Sequence, residues 1–201
     1  MYVVLDTETT GLYPYRGHEI ISYAGVKLNS KLQEIGRLCI KIHPKSITNA
    51  DPRALQINGY SNFQWKKYGI SREEAASKIA DFMKDSIPVA HNWSFDRMFL
   101  LKLLKEEAPD RKILRRGIDT ISLASAALIP LGYRSMSMSN ICKIFGWPEQ
   151  THRAMDDTLM CVQLFRLLYP MNTRNRLKLQ ILLYRARIKS YLNPLIGGKN
   201  E

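Results

Sequence analysis

Residues 3–12, Val-Val-Leu-Asp-Thr-Glu-Thr-Thr-Gly-Leu, set an apolar, strand-forming run directly ahead of two acids and then break it at a glycine. Side chains two apart on a strand point to one face, about 6.6 Å apart along the chain, so Asp6 and Glu8 can line one pocket. Two carboxylates so close call for a cation. Taken alone, such a pair more often marks a polar end on a buried strand, so partners must be sought further along the chain.

Residues 19–28 and 34–43 read as two more strands joined by a hairpin at Asn29 to Lys31, which makes three antiparallel-type strands in succession. Between the first and second lies Tyr13-Pro14-Tyr15-Arg16-Gly17, a loop whose aromatics either stack on bases or rest on the domain surface. Asp51 followed by Pro52 opens a short helix that ends at Gly59, with Asp51 as its cap. Trp65-Lys66-Lys67-Tyr68 interleaves aromatics with cations and reads as a solvated connection. Ser71-Arg72-Glu73-Glu74 is a capping box opening a helix through about Ser86, with Ala75, Ile79, Phe82 and Met83 on one face.

A short buried strand over residues 87–92 then leads into a helix over 94–107 whose apolar residues lie nearly all round, so it should be largely buried. Asp96 falls in its first turn, where the helix dipole favours a carboxylate. Arg111, Lys112, Arg115 and Arg116 form a solvated basic run before a strand over 113–118, and Asp119 reads as the cap of the next helix. Residues 137–145 are helical, and a longer helix runs from Ala154 to Tyr169, stopped by Pro170. His152 and Asp157 are five apart and cannot share a helix face, so His152 belongs to the loop; Asp156 and Asp157 remain equal candidates for an inward acid.

Composition narrows the partners. The 201 residues suit one domain with an appendage, and 30 Lys and Arg against 18 Asp and Glu give a formal charge of +12, a field that attracts polyanions. Nucleic acid is the expected partner. No apolar run approaches the roughly 20 residues that span a membrane, and the chain starts on strand residues in place of a signal peptide, so a soluble cytoplasmic protein is expected. Cys39, Cys142 and Cys161 are scattered, without zinc-ligand spacing, and read as buried thiols. Beyond residue 170 the tail carries seven cations, from Arg174 to Lys199, and a helix through about Leu192 is expected, apolar face inward and cations outward.

Asp6, Glu8, Asp96 and an acid beside His152 would repel one another in a shared pocket unless divalent cations neutralised them. All-oxygen ligands suit Mg²⁺ or Mn²⁺, and two such ions about 3.5–4 Å apart suit in-line displacement at phosphorus. A neutral imidazole can take a proton from the attacking water.

With these residues in place the sequence resembles the DEDD superfamily of 3′-to-5′ exonucleases, in its histidine-bearing, DnaQ-like (DEDDh) branch. Three motifs match in order: Asp6-Thr7-Glu8-Thr9-Thr10-Gly11-Leu12, His91-Asn92-Trp93-Ser94-Phe95-Asp96, and His152-Arg153-Ala154-Met155-Asp156-Asp157. Weaker agreement lies at Ala54 to Gly59 and at Asp119-Thr120. The resemblance covers residues 2–168 and implies a ribonuclease H-like α/β fold: a five-stranded mixed sheet, three antiparallel strands and then parallel crossovers, flanked by helices on both sides. It implies that Asp6, Glu8, Asp96 and Asp157 hold two metal ions, that His152 is the general base, and that Asp157 is chosen over Asp156. It further implies that Thr9, Thr10, Gly11 and Leu12 meet the terminal nucleotide, Leu12 as a wedge, with Asn92 and Phe95 as pocket walls.

The function that follows is removal of 3′-terminal nucleotides from single-stranded or frayed DNA ends with release of 5′-monophosphates, in an exonuclease domain over 1–170 followed by a basic helical extension over 171–201. A separate polymerase is a candidate partner. RNA 3′-end trimming, as in ribonuclease T-like and oligoribonuclease-like relatives, is the alternative within the class. A non-catalytic nucleic-acid or polymerase binding module is the alternative outside it.

Overall fold

The computed structural model describes residues 1–170 and 172–196. In chain order the elements are β1 (Tyr2–Thr9), a 3-10 turn (Pro14–Arg16), β2 (Ile20–Leu28), β3 (Glu34–Ile42), α1 (Pro52–Ile57), α2 (Asn62–Tyr68), β4 (Gly69–Ile70), α3 (Arg72–Met83), β5 (Ile87–Ala90), α4 (Trp93–Glu107), β6 (Ile118–Asp119), α5 (Thr120–Leu128), α6 (Met138–Phe145), α7 (Ala154–Leu168) and α8 (Thr173–Ile196). They group into two compact units. The first comprises Met1–Thr120 and Thr151–Val162; the second comprises Ile121–Gln150 and the described part of Gln163–Glu201.

The first unit holds a mixed sheet in the order β4-β3-β2-β1-β5-β6. β1, β2 and β3 pair antiparallel; β5 joins β1, β6 joins β5 and β4 joins β3, all parallel. β2 is buried at all but one of its positions, which requires cover on both faces of the sheet at its centre. The core gathers Val3, Leu5, Ile20, Tyr23, Ile79, Phe99, Leu100 and Leu103 between strands and helices, each large aliphatic contributing on the order of 1.5–3 kcal/mol. The α/β, ribonuclease H-like expectation is borne out with one correction: the sheet has six strands, not five. The added strand, β4, is two residues long at an edge, below the length at which side-chain alternation is visible.

Local signals act as expected at several joints. Asn29 Oδ1 accepts from the amides of Lys31 and Gln33 and so closes the hairpin between β2 and β3. Asp51 accepts from Arg53 N at 2.8 Å, and Ser71 Oγ from Glu74 N at 3.1 Å, capping α1 and α3.

Other expectations are corrected. Residues 65–68 are not a solvated connection, for they lie in α2, where Trp65 is buried and its indole N–H donates to Ile21 O at 2.6 Å. The Lys41 ammonium covers that indole, 4.0 Å from the ring centroid. The overlooked signal is Ser61-Asn62-Phe63-Gln64, another capping-box spacing, in which Ser61 Oγ accepts from Gln64 N. α3 ends at Met83, not near Ser86, because Asp85 turns left-handed at φ 56°. α4 buries one side only: Phe99, Leu100, Leu103 and Leu104 are inside while Met98 is exposed. The expected strand over 113–118 shrinks to β6, since Leu114, Arg115 and Arg116 face solvent. Cys39 is an exposed thiol: Leu38 and Ile40 face the core, which leaves Cys39 on the opposite face of β3, whereas Cys142 and Cys161 are buried as expected.

In the second unit, Ser137 caps α6 by accepting from Asn140 N, and Gly146 ends that helix in a left-handed turn. α6 packs on α8, with Ile141, Cys142 and Phe145 buried. Asn175 Nδ2 donates to Pro170 O at 2.8 Å, tying the first turn of α8 to the preceding bend. α8 passes Leu192 and Pro194 and ends at Ile196. Its apolar residues do not all turn inward: Leu179 is buried, while Leu177, Ile181, Tyr184 and Ile188 are exposed at helical spacing. Lys199, the last of the seven cations, lies outside the described residues.

Candidate active site

β1 delivers Asp6 and Glu8, opposite Ala24 and Ser22 of β2. α4 follows β5 after a tight bend in which Asn92 is left-handed at φ 81°, so Asp96 lies in the helix's first turn, buried. α7 is pinned by Thr158, whose Oγ1 donates to Ala154 O at 2.6 Å and lies 3.4 Å from Ala24 O on β2. That anchor places Asp157, also buried, beside the end of β1.

The result is a cluster. One carboxylate oxygen from each of Asp6, Glu8 and Asp157 lies within 4.8 Å of the others. Asp96 stands beside them, its Oδ1 accepting from Thr7 Oγ1 at 2.8 Å, and its charge acts on both Asp6 and Glu8. Burial, and then the neighbouring Asp96, Glu8 and Asp157, hold the Asp6 carboxyl well above the usual carboxylate range. Burial with Asp157 and Asp96 pushes Glu8 up to about 7, against the pull of Arg153. Burial likewise raises Asp96 to about 7, opposed by its hydrogen bonds from Thr7 and aided by Asp119. Converging acids that resist ionisation, with oxygen donors only, fit hard divalent cations.

Between Asp156 and Asp157 the geometry is decisive. Asp156 is exposed and accepts from Thr151 Oγ1 at 2.9 Å, whereas Asp157 enters the cluster. His152 lies on the loop ahead of α7, exposed, with a left-handed backbone at φ 53°. It is not one of the three close ligands. Asp119, expected as the cap of α5, presents Oδ2 to the amide of Trp93 at 3.0 Å and so serves the start of α4.

The stretch after β1 is held by its backbone. Asn58 Nδ2 donates to Thr9 O at 2.8 Å, Asp51 N to Thr10 O at 2.8 Å, and Thr10 N to Glu19 O at 2.8 Å. Thr9 and Thr10 are buried, so they offer a fixed backbone more than side chains. Gly11 lies so close to the His18 imidazole that an added Cβ would stand 2.3 Å from its Nδ1. Leu12, 58% exposed, projects from this rigid turn. Asn92 is exposed and accepts from Ser94 Oγ at 2.7 Å; Phe95 is partly buried, its ring 5.0 Å from that of Phe99. Asn58 was not singled out from sequence. Its signal was the Asn58-Gly59 pair closing α1, which reads first as a helix stop.

A prediction follows from the charges. In the metal-free folded protein Glu8 and Asp96 titrate near 7, above the ordinary 4.5 and 3.8 of the unfolded chain. The folded state therefore binds more protons in that window, and stability present at low pH falls as pH rises toward 7. Thermal melts in chelator should show the melting temperature dropping across this range, and added Mg²⁺ should raise it most at the alkaline end. A melting temperature in chelator that rose with pH would contradict the assignment.

Comparison with known proteins places the chain in a family. The family model RNase_T, described as Exonuclease, matches residues 3–165, and the chain belongs to that family. This bears out the resemblance read from the three motifs. Among relatives, the chain is 34% identical over 171 residues to the DNA polymerase III subunit epsilon of Treponema pallidum, covering 82% of this chain and 74% of that one. It is 33% identical over 167 residues to the PolC-type DNA polymerase III of Thermotoga maritima, covering 82% of this chain but 11% of that protein. Among solved structures, E. coli Exonuclease I in complex with a dT13 oligonucleotide superposes with a TM-score of 0.72 at 18% identity, over 86% of this chain and 42% of that one. A zinc-bound form of the E. coli enzyme with single-stranded DNA superposes equally, at a TM-score of 0.72 and 18% identity, over 90% of this chain and 42% of that one. At that identity the likeness is one of fold, and this chain spans less than half of Exonuclease I.

Proposed function

We propose that the protein is a divalent-metal-dependent 3′-to-5′ exonuclease acting on single-stranded or frayed DNA ends and releasing 5′-monophosphates. The observation that carries the reading is the convergence of Asp6, Glu8 and Asp157 within 4.8 Å, with Asp96 beside them. Those four carboxylates would hold two Mg²⁺ or Mn²⁺ ions, which when bound supply charge neutralisation to the phosphoryl group and its attacking water. Thr9 to Leu12 present rigid backbone and one exposed apolar side chain to the terminal nucleotide. Asn92 and Phe95 flank it, and His152, on its exposed loop, takes the proton of the attacking water.

DNA is favoured as substrate by the names of the relatives, polymerase III subunits, and by the oligonucleotide held by Exonuclease I. The same names support a polymerase as partner. Arg174, Arg176 and Lys178 are exposed on α8, which supports reading the segment beyond residue 170 as a basic extension that grips phosphates. No helix among the described residues is long and apolar enough to cross a membrane, and the proposed site of action is the cytoplasm.

The test is digestion of matched 3′-labelled and 5′-labelled DNA and RNA oligonucleotides, with Mg²⁺ or with chelator. Expected is Mg²⁺-dependent release of the 3′ label as mononucleotide, with DNA preferred. Cleavage that survives chelation, or shortening from the 5′ end, would reject the reading.

A further inference from the structure

The motif that supplies Asp157 also supplies a cation to which neither the charge cluster nor the family match gives a task. Arg153 leaves the loop one residue after His152 and folds its guanidinium against Gly59, where an added Cβ would stand 2.7 Å from Nη1 and 3.0 Å from Nη2. Gly59 is left-handed at φ 60° and follows Asn58, whose side chain holds Thr9 O. The guanidinium therefore sits against the segment that clamps the end of β1. It also lies within the field of Glu8, where its positive charge acts against Asp157 and Asp96. It is exposed, so its donors are open to a ligand from solvent.

We infer that Arg153, cradled on Gly59, forms an anion-binding subsite for the phosphodiester group that is cleaved. The inference rests on the exonuclease reading above and adds to it a substrate contact. A guanidinium presents planar paired donors that match two phosphate oxygens, which an ammonium cannot reproduce. Gly59 makes the cradle possible, since any side chain there would meet the guanidinium and would have to adopt a left-handed backbone. Arg153 is not a ligand of the cation and carries no proton in the reaction. It orients and neutralises the group that the acids alone would repel.

The experiment is steady-state release of the terminal nucleotide from a 3′-labelled DNA oligonucleotide with Mg²⁺, by the wild type and by Arg153→Ala, Arg153→Lys and Gly59→Ala, each with and without added guanidinium ion, alongside thermal melts. Losing a charge-assisted pair of hydrogen bonds should lower kcat/KM of Arg153→Ala about 10- to 100-fold. Its melting temperature should stay within a few degrees of wild type, since an exposed side chain contributes little to stability. Arg153→Lys should recover only part of the loss, and Gly59→Ala should share it. Added guanidinium should restore Arg153→Ala several-fold while leaving the wild type unchanged, an effect that a merely structural role would not produce. An active wild type with Arg153→Ala within twofold of it, or a loss that guanidinium does not touch, overturns the subsite alone. A wild type inert toward both DNA and RNA overturns the exonuclease reading and the subsite with it.

Discussion

Asp6→Asn is expected to cut 3′-nucleotide release by about 100- to 1,000-fold and, in the absence of metal at alkaline pH, to make the protein more stable. The first effect follows from the position of Asp6 among Glu8, Asp96 and Asp157, all three of which raise its pKa. Removing one oriented charge from a site built for a charged transition state costs on the order of 10²–10³ in rate, and Asp6 is a shared member of the close triad. The second effect has the same cause. Burial and like charges oppose the ionised carboxyl, and asparagine keeps the shape without the charge. Each kcal/mol relieved should lift the melting temperature by about 2–4 °C in a chain of this size. Parallel kinetics and melts in chelator decide the matter: a variant as active as wild type, or one clearly less stable, would show that Asp6 is not part of a strained acidic site.

Arg72→Met should be the most damaging change outside that site. Arg72 is buried at the start of α3 and pairs with Glu107 at 3.0 Å, Glu106 at 2.8 Å and Glu19 at 3.5 Å. Glu19 is as buried as Arg72, so losing the guanidinium leaves an interior acid that keeps the Lys45 amide at 2.6 Å but loses its buried cation, a situation that costs up to about 3–5 kcal/mol. Glu106 and Glu107 are better hydrated and also pair with Lys45, so they add less. The backbone of the same Glu19 accepts from Thr10 N and donates to Thr10 Oγ1, so the damage should reach the turn that follows β1. Denaturant melts of Arg72→Met, Glu19→Gln and the double variant measure the coupling. If the double variant were no more stable than the sum of the two losses implies, the pair would not be acting as a unit.

The parts of this molecule that could be read from sequence are those whose cause is local. Asp6 and Glu8 share a strand face because of a two-residue spacing, Asp51 and Ser71 cap helices that begin one residue later, and Asn29 closes a turn with its own neighbours. Where the cause is tertiary, the reading failed. Trp65 beside Lys66 and Lys67 looks solvated until Ile21 O is brought to its indole, and the capping box that contains Arg72 says nothing of Glu19, fifty-odd residues earlier, which is folded against it. β4, two residues long, is made by its partner strand and leaves no pattern of its own, while the strand expected over 113–118 is cut to the two residues of β6 that pair with β5. Choosing Asp157 over Asp156 needed a family pattern in sequence, and in space it needed only Thr151 to hold Asp156 outside.

The acidic triad joins the earliest strand to a helix about 150 residues downstream. During synthesis the amino-terminal half of that constellation emerges long before its counterpart, and pairings this distant in sequence form late and slowly. A nascent chain stalled before α7 would carry Asp6 and Glu8 but no means of completing the centre. The three-carboxylate cluster therefore cannot close until α7 has been synthesised, an order of assembly set by where its members lie along the chain.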